Sequence, residues 1–278
     1  MGQKKNKKGK KKRRTSLASR ADRHACYQTS VQSPEADLDF FRARFRERRG
    51  REPRALREDF CGTGYLSSIW LDGDPNRSAV CVDIDPTTLD WGKQHNFSSS
   101  ATERVSFLCA DVRDVTSPAV DVACAMNFSF CVFKQRQELQ RYFRAVRKGL
   151  RPDGIFVCEL YGGTEAIVEI EESRPVEDFT FIWQQAEFNA ITNETLCHIH
   201  FDFKDGSRLD KAFIYDWRLW SIPEVKELLE EAGFASVDVY WEAVDEEGAG
   251  TGEHRLTTQE ENQEGWLVLI VASHKEYR

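Results

Sequence analysis

Four acidic side chains stand at intervals through the middle of this chain, each closing a segment that reads as a strand. They are Glu58 in LREDFCGTG, Asp83 in SAVCVDI, Asp111 in VSFLCADV and Glu159 in IFVCELYGG. Carboxylates accept hydrogen bonds from hydroxyls and amines, so such a row suits a ligand that is cationic or hydroxylated. Gly62 and Gly64 follow Glu58. Glycines at a strand-to-helix turn let the backbone approach a ligand with no Cβ in the way, and the helix start offers free N–H groups. Asp83 lies roughly twenty residues beyond, the spacing at which a carboxylate meets ribose hydroxyls in nucleotide-binding sheets. Asn127 follows another apolar run, VDVACAM, and Tyr161 stands two residues after Glu159.

Those groups need a scaffold that gathers strand ends on one edge. SAVCVDI, VSFLCADV and VDVACAM are continuous apolar runs, as buried parallel strands are. Between the strands, residues 65–71, 86–96 and 134–150 read as helices. In the last, Leu139, Phe143, Val146 and Leu150 form one apolar stripe. The alternation predicts an α/β fold, a doubly wound parallel sheet with helices on both faces and ligands at its carboxyl edge.

Two cofactors use such a turn. A dinucleotide requires G-x-G-x-x-G, and the third position here is Ser67. EDFCGTG, the ordered acids after it, and the Pro-Asp-Gly turn of LRPDGIFVCELYGG together resemble the class I (Rossmann-like) S-adenosylmethionine-dependent methyltransferases. One departure is that the family's first glycine is Phe60. The resemblance implies a Rossmann-like seven-stranded sheet whose seventh strand turns back antiparallel, with S-adenosylmethionine as the cofactor. It implies a cofactor set of Glu58, Cys61, Gly62 and Gly64 at the turn, Asp83 with Ile84 at the ribose, Asp111 with Val112 at the adenine, and Asn127 facing the reaction zone. NFSF, residues 127–130, lacks both prolines of the N/D-P-P-Y/F motif found in nucleic-acid amino methylases, which argues against a base-amine acceptor. Glu159 and Tyr161 are the candidate catalytic residues, for substrate contact or proton removal.

Outside the core, residues 164–217 break the rhythm. Phe179–Phe188, Glu194–Phe203 and Leu209–Trp217 read as three antiparallel strands inserted after the fifth core strand, with Asp205-Gly206 as a turn. His198, His200 and Asp202 share one face of the middle strand; Ile199, Phe201 and Phe203 share the other. His198, His200, Tyr215 and the upstream Tyr27 are the candidate acceptor contacts, and no metal is assigned. Residues 21–50 read as a helical lid that includes Tyr27, Gln28 and Ser30. Residues 221–234 read as a capped helix, and 235–241 and 266–272 as the last two strands. The acidic, glycine-rich stretch 242–265 between them reads as a mobile loop. The domain that follows the lid spans 51–278.

The net charge of −7 hides an asymmetry: nine of the 39 Lys and Arg lie in residues 4–14, leaving 30 against 46 Asp and Glu elsewhere. A basic tail, residues 1–20, is expected to be disordered. An acidic body is not the pattern of a domain that grips nucleic acid with its own face. The eight cysteines form no C-x-x-C pair and most sit in apolar runs, as free thiols in cytoplasm or nucleus do. No apolar run approaches a membrane span. The best-fitting function is methyl transfer to a small molecule. The alternatives are a protein or RNA acceptor recruited through residues 4–14, a non-catalytic cofactor-binding partner, and an NAD-dependent oxidoreductase.

Overall fold

A computed structural model describes residues 15–245 and 250–275. The core strands are β1 (Ala55–Asp59), β2 (Ser78–Asp83), β3 (Val105–Cys109), β4 (Val120–Ala125) and β5 (Leu150–Gly162). An insert supplies β6 (Ile170–Val176), β7 (Phe179–Asn189), β8 (Glu194–Phe203) and β9 (Arg208–Arg218). The chain closes with β10 (Ser236–Val244), β11 (Gly250–Thr257) and β12 (Trp266–Ser273). The helices are α1 (Arg23–Val31), α2 (Pro34–Arg49), α3 (Tyr65–Asp72), α4 (Pro86–His95), α5 (Ser99–Thr102), α6 (Arg136–Gly149) and α7 (Ile222–Glu231).

The large sheet runs β11-β10-β12-β5-β4-β1-β2-β3. β1 through β5 are parallel, and β12 returns antiparallel between β5 and β10. Strand order reverses between β1 and β4, which opens the crevice where ligands bind in such sheets. Alternation along each strand divides the core. Ile155 and Val157 of β5 pack toward α2 and α3, with Phe41, Phe45 and Trp70; Phe156, Cys158 and Leu160 pack toward α6 and α7, with Phe143 and Leu229.

Charge is buried in the frame itself. Arg57 and Asp59, both in β1, form an ion pair at 3.0 Å with both side chains sealed from solvent. Arg57 also donates to the Val115 carbonyl (3.1 Å), and the Tyr142 hydroxyl donates to Asp59 (3.0 Å).

Three expectations change. The sheet has eight strands rather than seven, because β11 occupies part of the stretch read as a loop. The insert is a four-stranded antiparallel sheet, β6-β7-β8-β9, rather than three strands. Both missed strands lie at sheet edges, where charge, proline and glycine are tolerated: IEESRPV in β6 and GTGEHRLT in β11. Residues 21–50, read as helical, form two helices, with Pro34 starting the second. Residues 15–20 are ordered against the β8–β9 turn, the Leu17 N–H donating to Asp205 (2.9 Å) and the Ala18 N–H to Ser207 (3.0 Å). The basic run 4–14 lies outside the described residues. Among the described residues, no helix is long and apolar enough to cross a membrane.

Candidate active site

The turn after β1 holds its shape without the first glycine. Phe60 takes a φ of 56°, in the left-handed region, as do Gly62 and Gly64. For a side chain larger than glycine this costs about 1–2 kcal/mol. The Phe60 ring offsets it by packing against Phe133 and Tyr142, with centroids 5.8 and 5.4 Å apart. Ser67, the residue that spoils the dinucleotide pattern, has its own task. Its N–H (3.0 Å) and hydroxyl (2.6 Å) both donate to Glu58 Oε2 and so aim that carboxylate. Burial, with the Asp83 and Asp37 carboxylates nearby, holds Glu58 up at about 7 despite those two bonds.

Asp83 ends β2 and ties down the turn. Its Oδ2 accepts from the Gly62 N–H (2.8 Å) and its Oδ1 from the Asp85 N–H (2.9 Å). A carboxylate has about four acceptor sites, so about two remain for a ribose diol. Ile84 beside it is 71% exposed, an apolar side chain left uncovered at the sheet edge. Cys61 is buried beneath the turn. Asp111 is placed differently. Its carboxylate is gripped by the Arg113 guanidinium, which lowers its pKa, and it also accepts from the Arg113 N–H (2.9 Å). Asp111 therefore does not line the cavity next to Asp83, and Val112 after it is buried.

That cavity, of about 300 Å³, is walled by Glu58 to Thr63, Asp83, Thr88, Asn127 and Ser129, and roofed by His24, Tyr27 and Gln32. Among the described residues, one buried acceptor on its wall, Gln32 Oε1, has no partner. Acceptors and carboxylates around a glycine turn fit a cofactor with an ammonium group, a sulfonium and a ribose. α1 closes the roof, Gln28 donating to the Thr63 hydroxyl at 2.8 Å and Trp91 on α4 to Asp22 at 2.7 Å. Ser30 is buried and bonds its own helix, donating to the Cys26 carbonyl.

Past β4, Asn127 and Phe128 are both left-handed, with φ of 52° and 57°. Glu159 holds this bend, accepting the Asn127 N–H at 2.6 Å. Burial and the Asp37 carboxylate push Glu159 up to about 8. Glu159 lines neither cavity and stands behind Asn127.

A second chamber, of about 360 Å³, lies between the insert and the end of β5. Phe128, Tyr161, Trp183, Tyr215, Trp217 and Trp266 supply its aromatic walls. Gly162 permits this: a Cβ there would lie 2.1 Å from the Trp266 ring. Burial raises the Tyr161 pKa, with the Cys197 thiol beside its hydroxyl. Burial likewise pushes Tyr27 up to about 12. Tyr27, Asn127, Tyr215 and Trp217 line both cavities.

His198 and His200 do not reach either cavity. Strand parity sends Ile199 into the chamber and both histidines to the opposite face of β8, where His198 pairs with Gln184 (2.8 Å) and His200 with Asp210 (2.7 Å). Sequence reasoning took the wrong face of β8. It also missed Trp183, Trp217, Trp266 and Gln32. Alternation carried a signal, since Phe181, Trp183 and Gln185 share one face of β7, as Phe213, Tyr215 and Trp217 do on β9.

Residues 60–154 match the family model for a methyltransferase domain. No curated protein matches the chain. Among solved structures it is similar to an S-adenosylmethionine-dependent methyltransferase from Clostridium acetobutylicum, at 14% identity over 90% of this chain and 97% of that one, with a TM-score of 0.66. It is similar to a sugar N-methyltransferase from Streptoalloteichus at 17% identity, over 92% of this chain and 94% of that one, with a TM-score of 0.62. An amino pentose methyltransferase from Micromonospora echinaspora, solved with S-adenosylmethionine bound, aligns at 15% identity over 91% and 96%, with a TM-score of 0.63. At such identities the likeness is one of fold. Residues 60–154 thus match a methyltransferase domain, in a chain that shares the fold of S-adenosylmethionine-dependent methyltransferases.

Proposed function

We propose that this enzyme methylates a small molecule held in the aromatic chamber beneath the insert. The observation that carries the reading is the junction: Tyr27, Asn127, Tyr215 and Trp217 line both the cofactor cavity and the chamber. A nucleophile resting on the chamber side of that junction faces the cofactor side directly. Bound S-adenosylmethionine supplies a methyl group already activated by its sulfonium. Methyl transfer then needs alignment more than acid–base work.

In this reading Glu58 and Gln32 receive the amino-acid end, Gly62 and Gly64 allow close backbone approach, and Asp83 takes the ribose hydroxyls with Ile84 flanking the base. Glu159 is a positioning residue: it holds the Asn127 bend through a backbone hydrogen bond. Tyr161 is the candidate catalytic residue that meets the acceptor, because it lines the chamber. The names of the similar structures, which mention an amino pentose and a sugar, support an acceptor of this size.

The test is a cell extract supplied with methyl-labelled S-adenosylmethionine and the full chain. Label in low-mass products is expected. Label that moves only to protein or RNA, and is lost when residues 1–14 are removed, would replace this reading with one in which the tail recruits the acceptor.

A further inference from the structure

The chamber tells what charge its occupant carries. We propose that the acceptor is an amine and the transfer an N-methylation; this rests on the small-molecule reading above. Every charged side chain that lines the chamber is acidic. Around the aromatic faces stand the carboxylates of Glu165, Glu172 and Glu264, and no Lys, Arg or His lines the wall. Among the described residues, no hydrogen bond or ion pair engages those three carboxylates. Gln185 adds an independent observation. It is only 7% exposed, and its amide nitrogen donates to the carbonyls of Glu165 (2.8 Å) and Val168 (3.1 Å). Two carbonyls can be served only by the NH₂ end, so the orientation of this amide is settled. Its oxygen, an acceptor without a partner among the described residues, is left for the chamber.

Aromatic faces attract cations through their quadrupole, most strongly with tryptophan, and desolvation strengthens that attraction. Trp183, Trp217 and Tyr215 sit together for this purpose, the Tyr215 and Trp217 rings stacked at 4.4 Å and Trp183 6.2 Å from Trp217. The chemistry runs the same way. The amine gives up one proton to water and enters as the free base. Its lone pair forms the N–C bond while the C–S bond breaks. Sulfur keeps the electron pair as a neutral thioether, and the positive charge passes to nitrogen. Acceptors preorganised around that nitrogen stabilise charge where it develops. A phenolate or carboxylate acceptor would instead place a negative charge among three carboxylates.

The probes are choline and its neutral carbon isostere, 3,3-dimethylbutan-1-ol. Each is titrated into the full chain saturated with S-adenosylhomocysteine, with occupancy read from tryptophan emission. Choline is expected to bind at least about tenfold more tightly than the isostere, in the range of a desolvated cation–π contact. In Glu172→Gln/Glu264→Gln, two exposed positions, that ratio should fall at least about threefold with isostere affinity unchanged. Equal affinities, binding of neither probe, or a ratio that survives the double substitution would overturn the proposal. Calorimetry of S-adenosylhomocysteine on the same samples separates the two readings. Cofactor bound without choline preference removes the amine alone, whereas cofactor unbound removes the methyltransferase reading beneath it.

Discussion

The cavity at the glycine turn and the aromatic chamber adjoin, yet they are built by different rules. The first is assembled at strand ends: a glycine turn, carboxylates closing β1 and β2, and a strained bend closing β4. Its contacts are largely backbone groups and short side chains within a few residues of a strand terminus. The chamber is assembled from strand faces. Its aromatic rings come from β5, β7, β9 and β12 and from the loop after β4, and they meet only because the insert folds back over the sheet. One cavity follows from topology, the other from side-chain parity, so substitutions on the strand faces can reshape the chamber while the glycine turn stays as it is.

The largest expected effect breaks the frame that both share. Arg57 and Asp59 lie beneath the turn with no solvent to replace a lost partner. Burial already raises the Asp59 pKa against the pull of Arg57 and Tyr142. Arg57→Met should destabilise the fold by about 3–5 kcal/mol, because it leaves a buried carboxylate unpaired. Urea unfolding followed by circular dichroism measures this. A loss below about 1 kcal/mol would mean that Asp59 is neutral in the folded chain and the pair is not an ion pair.

The next effect separates the two cavities. Asp83→Ala should weaken S-adenosylhomocysteine by about 1–3 kcal/mol, the range for hydrogen bonds to a charged group. The same variant should leave the preference of the chamber for choline over its isostere unchanged. Calorimetry and tryptophan emission read the two quantities on one sample. A coupled loss of both would show that the cavities act as one site.

These expectations rest on parts that were unequally legible in the sequence. Glu58, Gly62, Gly64 and Asp83 could be read because a parallel sheet forces its ligand groups to strand ends, and strand ends are visible as the close of an apolar run. Asp111 satisfied the same rule and still turned onto Arg113, since a salt bridge two residues away is a side-chain event that the run does not encode. Phe60 stood where the family has glycine, and its compensation came from Phe133 and Tyr142, more than seventy residues distant. In the insert the histidines drew attention by residue type. Which face of β8 turns inward depends on the partner sheet, and a single strand cannot announce it.

A smaller effect depends on pH. Burial holds Glu58 and Asp37 at about 7 and Glu159 at about 8, above their ordinary values. The folded, unliganded protein therefore binds more protons than the unfolded chain between the ordinary carboxylate range and about pH 8, so its stability should fall as pH rises through that window. S-adenosylmethionine carries a net positive charge and favours the ionised carboxylates. Its affinity should rise several-fold from pH 6 to pH 8, with protons released on binding. Calorimetry in buffers of different ionisation enthalpy counts those protons. Uptake instead of release would refute the placement of the cationic end beside Glu58.

The smallest effect is the sharpest check on strand parity. His198 is almost fully buried, which alone would suggest a ligand contact, but it lies on the face of β8 away from the chamber and is occupied by Gln184. Burial lowers its pKa, so it is neutral at pH 7 and adds no charge to the site. His198→Ala should cost about 1 kcal/mol of stability, the ordinary worth of one hydrogen bond. It should move cofactor affinity and choline preference by less than about 0.5 kcal/mol, as substitutions remote from a site do. Tyr215→Leu is the matched control, because β9 presents Tyr215 to both cavities from the inner face of the same sheet. Its choline binding should fall by about 0.5–2 kcal/mol, the value of a cation–π contact. If the histidine variant disturbs binding as much as the tyrosine variant does, the two faces of the insert are not separate. The chamber would then extend through the sheet instead of ending on its inner surface.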